Sequence, residues 1–565
     1  MKLLLHQRAF LAAAVCAFLL MLAPASAFAH AYVVSSNPAA NEMLDTSPVE
    51  IVIDFNEPLE EGFHELAVIG PNGDNVTNGE AGINPEKPSR LTVNLRPNLP
   101  EGLYTAKWNV VSGDGHAISG TIPFQIGRGD SSSAPQVHPT TDGGSSFPEW
   151  SLLLVRWLFY AGTAGYLGAV VFHARLLPRL DSNWPERLKR RSRTVWTAGF
   201  IASSAGILLS LPQQTASDAG GGWREAFDPG LWRQTLVYTT FGEIWTIQIL
   251  LLGGWFLWTL FLLRSSRTTR PRLLPLAGAL LFALALLFSK AFIGHAATAE
   301  LRGFAITADF LHLAAALIWL GGVGALAFLL PAAAQPAVED KTRPAEPRQL
   351  SLYWRTIRRF STLAIWMVAL LLGTGVYSSL LHVPTLYSLT HTAYGRVLLA
   401  KIALTAICLL LGGWSFLRGR RAEKPLYAGV WTELGAGLAV LVLAAVLANL
   451  PTAAASPGPA SLTHRLEDGT KVTIRVAPNA VGTNAFQVTV NGPDGQPRDD
   501  VEQVTLELTS KEMDMGTTEI LFPGGSPPEV RELITMGGRW NVHVHILTKS
   551  LDRYDFDTEL TVGSP

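Results

Sequence analysis

Residues 307–330 read TADFLHLAAALIWLGGVGALAFLL. Beyond Thr307, Asp309 and His312 at one end, the run is apolar or small throughout. A surface helix would carry a polar stripe at helical spacing, and none is present. The length exceeds the ~20 residues a helix needs to cross a bilayer. Gly321, Gly322 and Gly324, with several alanines, let neighbouring helices approach closely in lipid, where small residues favour association. The stretch predicts a membrane-spanning helix. Seven further apolar segments flank it, at about 151–172, 195–212, 241–263, 273–290, 360–382, 395–417 and 430–450, with 195–212 and 273–290 on the short side.

Loop charge tests this partition. Arg175, Arg179, Arg187, Lys189, Arg190, Arg191 and Arg193 follow the first segment, and Arg264, Arg267, Arg270 and Arg272 follow the third. Lys341, Arg343, Arg348, Arg355, Arg358 and Arg359 follow the fifth, and Arg418, Arg420, Arg421 and Lys424 the seventh. The other loops are poor in Lys and Arg. Basic loops stay on the cytoplasmic side, so eight crossings put both ends of the chain outside the cell membrane. Positive mean hydropathy (+0.24) and 16% charged residues fit such a protein. The net charge of −1 and the confinement of basic residues to short loops exclude a nucleic-acid surface. Asp340-Lys341-Thr342 resembles a phosphorylated pump motif, but Arg343 stands where Gly is needed and the loop is too short for a nucleotide domain. No Walker A sequence appears, so no ATP is expected.

On either side of the helices the period changes to two. Val49, Ile51, Ile53 and Phe55 alternate with polar residues, as do Leu91, Val93 and Leu95, and Pro71-Asn72-Gly73-Asp74 marks a turn. Residues 30–127 therefore predict a small antiparallel β-sandwich. Val472, Ile474 and Val476, then Val488 and Val490, then Val504, Leu506 and Leu508 predict a second over 462–565. Stretches 128–148 and 452–461 have linker composition. The fold class expected is a mixed multidomain chain: an N-terminal β-sandwich, an eight-helix transmembrane bundle over 149–451 and a C-terminal β-sandwich.

Residues 1–29 fit a secretory signal: Lys2 and Arg8, the apolar Ala9–Leu22, and a small-residue exit ending Ala27-Phe28-Ala29. Cleavage after Ala29 makes His30 the first residue. Its free amine and imidazole Nδ1 then chelate one metal together, which no internal histidine can do. Ser112-Gly113-Asp114-Gly115-His116 adds a carboxylate and an imidazole, two apart and so on one face of an extended segment. Four nitrogen or oxygen donors in a plane suit divalent copper. Cleavage also removes Cys16, leaving Cys408 alone with no CxxC. Thiolate chemistry is therefore not expected, and His, Met, carboxylate and backbone nitrogen remain as ligands.

His30-Ala31, Asn37-Pro38-Ala39, Phe55-Asn56-Glu57-Pro58-Leu59 and SGDGHAISG (112–120) resemble the periplasmic copper-binding CopC family. That resemblance implies a Cu(II) site of His30, Asp114 and His116. With only Met43 in the domain, the Met-rich Cu(I) site of some members is not expected. Gly294-His295-Ala296-Ala297-Thr298, Asp309 and His312 with LAAALIWLGGV (313–323), Arg359-Phe360-Ser361, Thr374-Gly375 and Tyr394-Gly395-Arg396 are similar to the CopD copper-resistance family. This implies copper passage across the membrane, with His295 and His312 as candidate ligands.

Asp309 and His312 share a helix face. Asp309 also has an alternative role as a partner of Lys290 or Arg302 at the headgroups, and His312 as a hydrogen-bond partner of a neighbouring helix. Glu243, His382 and His391 are weaker candidates, and Arg396 and Lys401 are expected to snorkel outward. In the last domain, Met513-x-Met515 and His543-x-His545 would each present two side chains on one face of a strand, a Cu(I)-compatible set. Packing of that face into the sandwich is the alternative. The domain resembles YtkA-like domains.

The expected function is copper binding outside the membrane and copper transport across it, with import implied by the family and no catalysis. The partners expected are copper and the bilayer. Three other readings stay open: a copper-dependent oxidative enzyme, against which Asp114 argues by stabilising Cu(II); a haem-binding electron carrier, which needs paired membrane histidines where only His312 lies well inside an expected span; and a copper-sensing or storage surface protein with no transport.

Overall fold

The computed structural model describes residues 33–39, 42–55, 57–113, 115, 117–127, 150–178, 185–220, 225–267, 271–294, 296, 301–334, 347–421, 427–450, 452–511, 517–523, 529–534 and 537–563. These fall into two compact units. One is built from Ser146–Leu381 and Arg396–Leu450; the other contains both β regions and His382–Gly395.

Among the described residues, the helical unit contains eight helices long and apolar enough to cross a membrane. They are Trp150–Leu176, Glu186–Asp218, Thr240–Ser265, Leu273–Lys290, Arg302–Phe328, Leu352–His382, Ala393–Leu417 and Ala428–Leu447, called the first to eighth spans below. The small residues of the opening stretch act at the first span. A Cβ on Gly321 would sit 2.0 Å from the carbonyl oxygen of Ala164, and one on Gly168 would sit 1.9 Å from that of Gly321. Backbone meets backbone there, so only glycine fits.

Polar side chains then tie helices laterally, since lipid offers them no other partner. Thr163 meets Ser203 at 3.0 Å, Tyr166 meets Thr259 at 2.8 Å, and Gln248 donates to Ser289 at 3.1 Å. Tyr166, Trp196 and Trp255 are wholly buried between them.

Two helices depart from expectation. The second span continues through Pro212 to Asp218. Its polar tail is held in place: Thr215 hydrogen-bonds Thr235 of the short helix Pro229–Tyr238 at 2.9 Å. The first span ends in a π-turn, Phe172–Leu176, which buries His173. Its Nε2 lies 2.8 Å from Ser192 Oγ and its ring lies against Trp196. His173 thus falls at the end of the first span, just past the 151–172 expected, whereas His312 lies well inside the fifth.

In the other unit, eight strands form the N-terminal sandwich: β1 (Val33–Asn37), β2 (Met43–Leu44), β3 (Glu50–Phe55), β4 (Glu65–Ile69), β5 (Gly82–Asn84), β6 (Lys87–Asn94), β7 (Gly102–Val111) and β8 (Ala117–Ile126). The sheets run β1-β3-β6-β5 and β2-β8-β7-β4. Ile51, Ile53, Phe55, Leu91, Val93 and Leu95 all face the core. Burial of each such side chain is worth about 1.5–3 kcal/mol. Val49 departs from the expected alternation: it precedes β3 and is exposed.

The C-terminal sandwich has β9 (Ala460–Arg465), β10 (Lys471–Ala477), β11 (Gly482–Asn491), β12 (Val501–Ser510), β13 (Thr517–Pro523), β14 (Val530–Ile534), β15 (Gly538–Thr548) and β16 (Arg553–Val562). Its sheets run β14-β11-β10-β9 and β13-β12-β15-β16. The predicted alternating residues Val472, Ile474, Val476, Val488, Val504, Leu506 and Leu508 fill its core, which Val34 of β1 joins.

Candidate metal sites

The N-terminal candidates begin at a hairpin. β7 and β8 pair as far as Val111 opposite Ala117, and residues 112–116 connect them. Ser112 bridges Leu59, the Gly113 amide donates to the Pro58 carbonyl at 2.9 Å, and the Gly115 amide donates to that of Ser112 at 2.8 Å. Gly115 has φ +84°, a region open to glycine but costly for other residues. Ser112, Gly113 and Gly115 are thus the described part of the connection, held by backbone hydrogen bonds. Asp114 and His116 lie outside the described residues, as does His30.

The described flanks nonetheless converge. β1 begins at Val33, opposite Phe55, while Leu59 and Pro58 hold Ser112 and Gly113. The chain just after His30 and the 112–116 turn are thus both tied to the segment Phe55–Leu59. Trp108 meets Phe55 edge-on at 5.2 Å, and its ring occupies the space beside Gly120. Next to Phe55, Asp54 is 2% exposed and accepts from Arg90 Nε and Nη2 at 2.8 and 2.9 Å, with Lys87 Nζ at 3.0 Å. Burial would raise the Asp54 carboxyl, but these hydrogen bonds and charges carry it below the usual value.

In the helical unit, His312 of the fifth span places Nδ1 2.9 Å from Thr374 Oγ1 of the sixth. The Thr374 hydroxyl gives its one proton to the Leu370 carbonyl at 2.7 Å, so toward His312 it accepts. With that donation, the tautomer of neutral His312 that fits carries its proton on Nδ1 and its lone pair on Nε2; a backbone hydrogen bond with Leu371 also holds the ring. Such an orienting bond is what a metal-ligating imidazole requires.

Asp309 interacts with Lys401 of the seventh span, and the Lys401 charge also reaches His312. Lys290, an alternative partner of Asp309 at the sequence level, lies over the Phe159 ring at 5.5 Å. His295 lies outside the described residues. Glu243 occupies the first turn of the third span, a favourable place for an acid at a helix N-terminus. His382 packs on Tyr394 at 6.4 Å, and His391 stacks on Tyr387 at 4.0 Å.

The C-terminal histidines face outward, which corrects the alternative of a packed face. Val542, Val544 and Ile546 point inward instead. Across the ladder His543 pairs with Asp557 and His545 with Asp555. His543 Nδ1 lies 3.0 Å from Asp557 Oδ1, and His545 Nδ1 hydrogen-bonds Asp555. Hydrogen bonds from Asn541 and then His543 lower the Asp557 carboxyl. Met513 and Met515 lie outside the described residues, in the connection that leaves β12 at Ser510, opposite Trp540.

Among the described residues, no three His, Cys, Asp or Glu side chains converge to hold a metal. Among the ionisable residues buried in the described spans, His173, Asp218 and Glu433 were not singled out from the sequence. An ionisable letter in or beside an apolar run is the signal that could have flagged them.

The CopC domain family matches residues 33–127. The copper resistance protein D-like N-terminal domain matches 147–304, and copper resistance protein D matches 354–447. The copper transport protein CutJ of Bacillus subtilis (strain 168) is 35% identical over 545 residues, covering 94% of this chain and 95% of that protein. Protein YobA of Escherichia coli (strain K12) is 36% identical over 101 residues, 18% of this chain and 82% of its own. Among solved structures, CopC from Methylosinus trichosporium OB3b is 25% identical with TM-score 0.17, covering 18% of this chain and 98% of its own.

Proposed function

We propose a function that starts from family membership: this chain belongs to the copper-transport family that joins a CopC domain to a CopD membrane domain. It is a multi-pass membrane protein of copper transport or resistance, not named for catalysis. In our reading both sandwiches lie on the outer face, as the basic loops require. Cu(II) is captured by the amine and Nδ1 of a processed His30, with Asp114 and His116 completing the set. Copper then enters the bundle past His295 and His312 and moves inward. His543 and His545, with Met513 and Met515, form an accessory site on the C-terminal sandwich.

One observation carries this reading: His312 lies within the bundle with Nδ1 committed to Thr374. A histidine serving only as structural glue could use either nitrogen. Here the orientation leaves Nε2 for a ligand. At the other site, the tethering of β1 and the 112–116 turn to Phe55–Leu59 supports the N-terminal set.

Radiocopper uptake into vesicles containing the full chain tests the proposal. His312→Ala should abolish uptake, and Thr374→Val should lower it roughly 10–100-fold, the usual cost of losing an orienting partner. One extra residue placed ahead of His30 should remove the tight Cu(II) site and leave the protein folded. Undiminished uptake in both membrane variants would overturn the reading.

A further inference from the structure

Cys408, Gly412 and Ser415 recur at helical spacing on one face of the seventh span. The eighth span brings Gly429 and Glu433 against that face. A Cβ on Gly412 would lie 3.2 Å from Glu433 Oε1, and a Cβ on Gly429 would lie 3.2 Å from Ser415 Oγ. Cys408 is fully buried, Glu433 is 7% exposed and Ser415 is 8% exposed. The Ser415 hydroxyl has no hydrogen-bond partner, and Glu433 has neither hydrogen bond nor ion pair among the described residues. Cys408 lies one helical turn before Gly412, the residue Glu433 packs against.

A carboxylate used as helix glue would bond across the seam, and among the described residues this one has no such bond. A buried acid in a membrane helix without a partner is expensive and usually functional. The sequence had set Cys408 aside because no second thiol accompanies it. Packing supplies a carboxylate instead.

We infer that the Cys408–Glu433 seam is a binding site for a soft monovalent cation, Cu(I), in the half of the bundle next to Arg418, Arg420 and Arg421. The assignment rests on the copper reading above and names a station on that route. On binding, the S–H bond of Cys408 breaks, a Cu–S bond forms, and the proton passes to the Glu433 carboxylate. No electron is transferred. One anionic carboxylate, one neutral thiol and one monovalent cation sum to zero charge. A divalent ion would leave a net positive charge in hydrocarbon, which the bilayer disfavours. Thiolate sulfur also prefers Cu(I) among the available ions.

The test uses the full chain with Cys16→Ala, in lipid nanodiscs under reductant, titrated with Cu(I) from a chromophoric chelator. The parent should load one more Cu(I) than Cys408→Ser and show a thiolate-to-Cu(I) absorption band that the variant lacks. Glu433→Gln, nearly the same size, should fold normally and weaken that site roughly 10–100-fold. Identical Cu(I) counts and spectra for parent and Cys408→Ser would overturn the site, and so would unchanged affinity in Glu433→Gln. Binding is read without transport, so the two readings fail separately: uptake with no copper at Cys408 removes this station alone. Copper at Cys408 with no uptake removes the transport reading.

Discussion

Gly120 shows how little of a residue's role its letter reveals. Within SGDGHAISG it reads as one more small residue near a metal-binding turn. In the fold its Cα faces Trp108, and an added Cβ would lie 2.5 Å from the indole Cζ2. Gly120→Ala should therefore cost about 1–3 kcal/mol by overpacking. Faster hydrogen exchange in β7 and β8 of the full chain, with the helical unit unchanged, would register it. His312 shows the converse. Its identity and the helical spacing to Asp309 were legible, whereas the protonated nitrogen was not. That depended on Thr374, a residue of another span whose hydroxyl is already committed to Leu370.

Single strands and helices were the most legible elements, because a period of two or an unbroken apolar run records which faces meet water. Their partners were not. Nothing local announces that β3 pairs with both β1 and β6, yet that pairing puts Asp54 opposite Arg90. The consequence is a pH dependence. Asp54 is held below its ordinary value in the folded state, so it favours folding above the unfolded carboxyl range near ~4. That contribution disappears as pH falls through the depressed folded value. Acid should thus loosen β3 and β6, and Asp54→Asn should weaken them at neutral pH while flattening the profile. Hydrogen exchange of those strands across acid pH measures both effects. The histidine pair of β15 was read correctly as sharing a face, but which face, and the presence of Asp555 and Asp557 beside it, came from the register with β16.

For the whole molecule, eight spans and alternating loop charge predict that the two termini share one side of the membrane. Alkaline phosphatase fused after Pro565 should be active and green fluorescent protein at the same point dark; the reverse pattern would remove one crossing. Composition and periodicity alone established the number of spans and both sandwiches, since hydrophobicity and backbone period are properties of short stretches of chain. Which groups meet was decided only in three dimensions: the first and fifth spans backbone to backbone at Gly168 and Gly321, His312 on Thr374, and Glu433 against Gly412. The reason is physical. Lipid-facing and helix-facing positions are equally apolar in a membrane, so hydropathy does not distinguish them, and helix neighbours are chosen by close fit and by the need to satisfy the few polar groups.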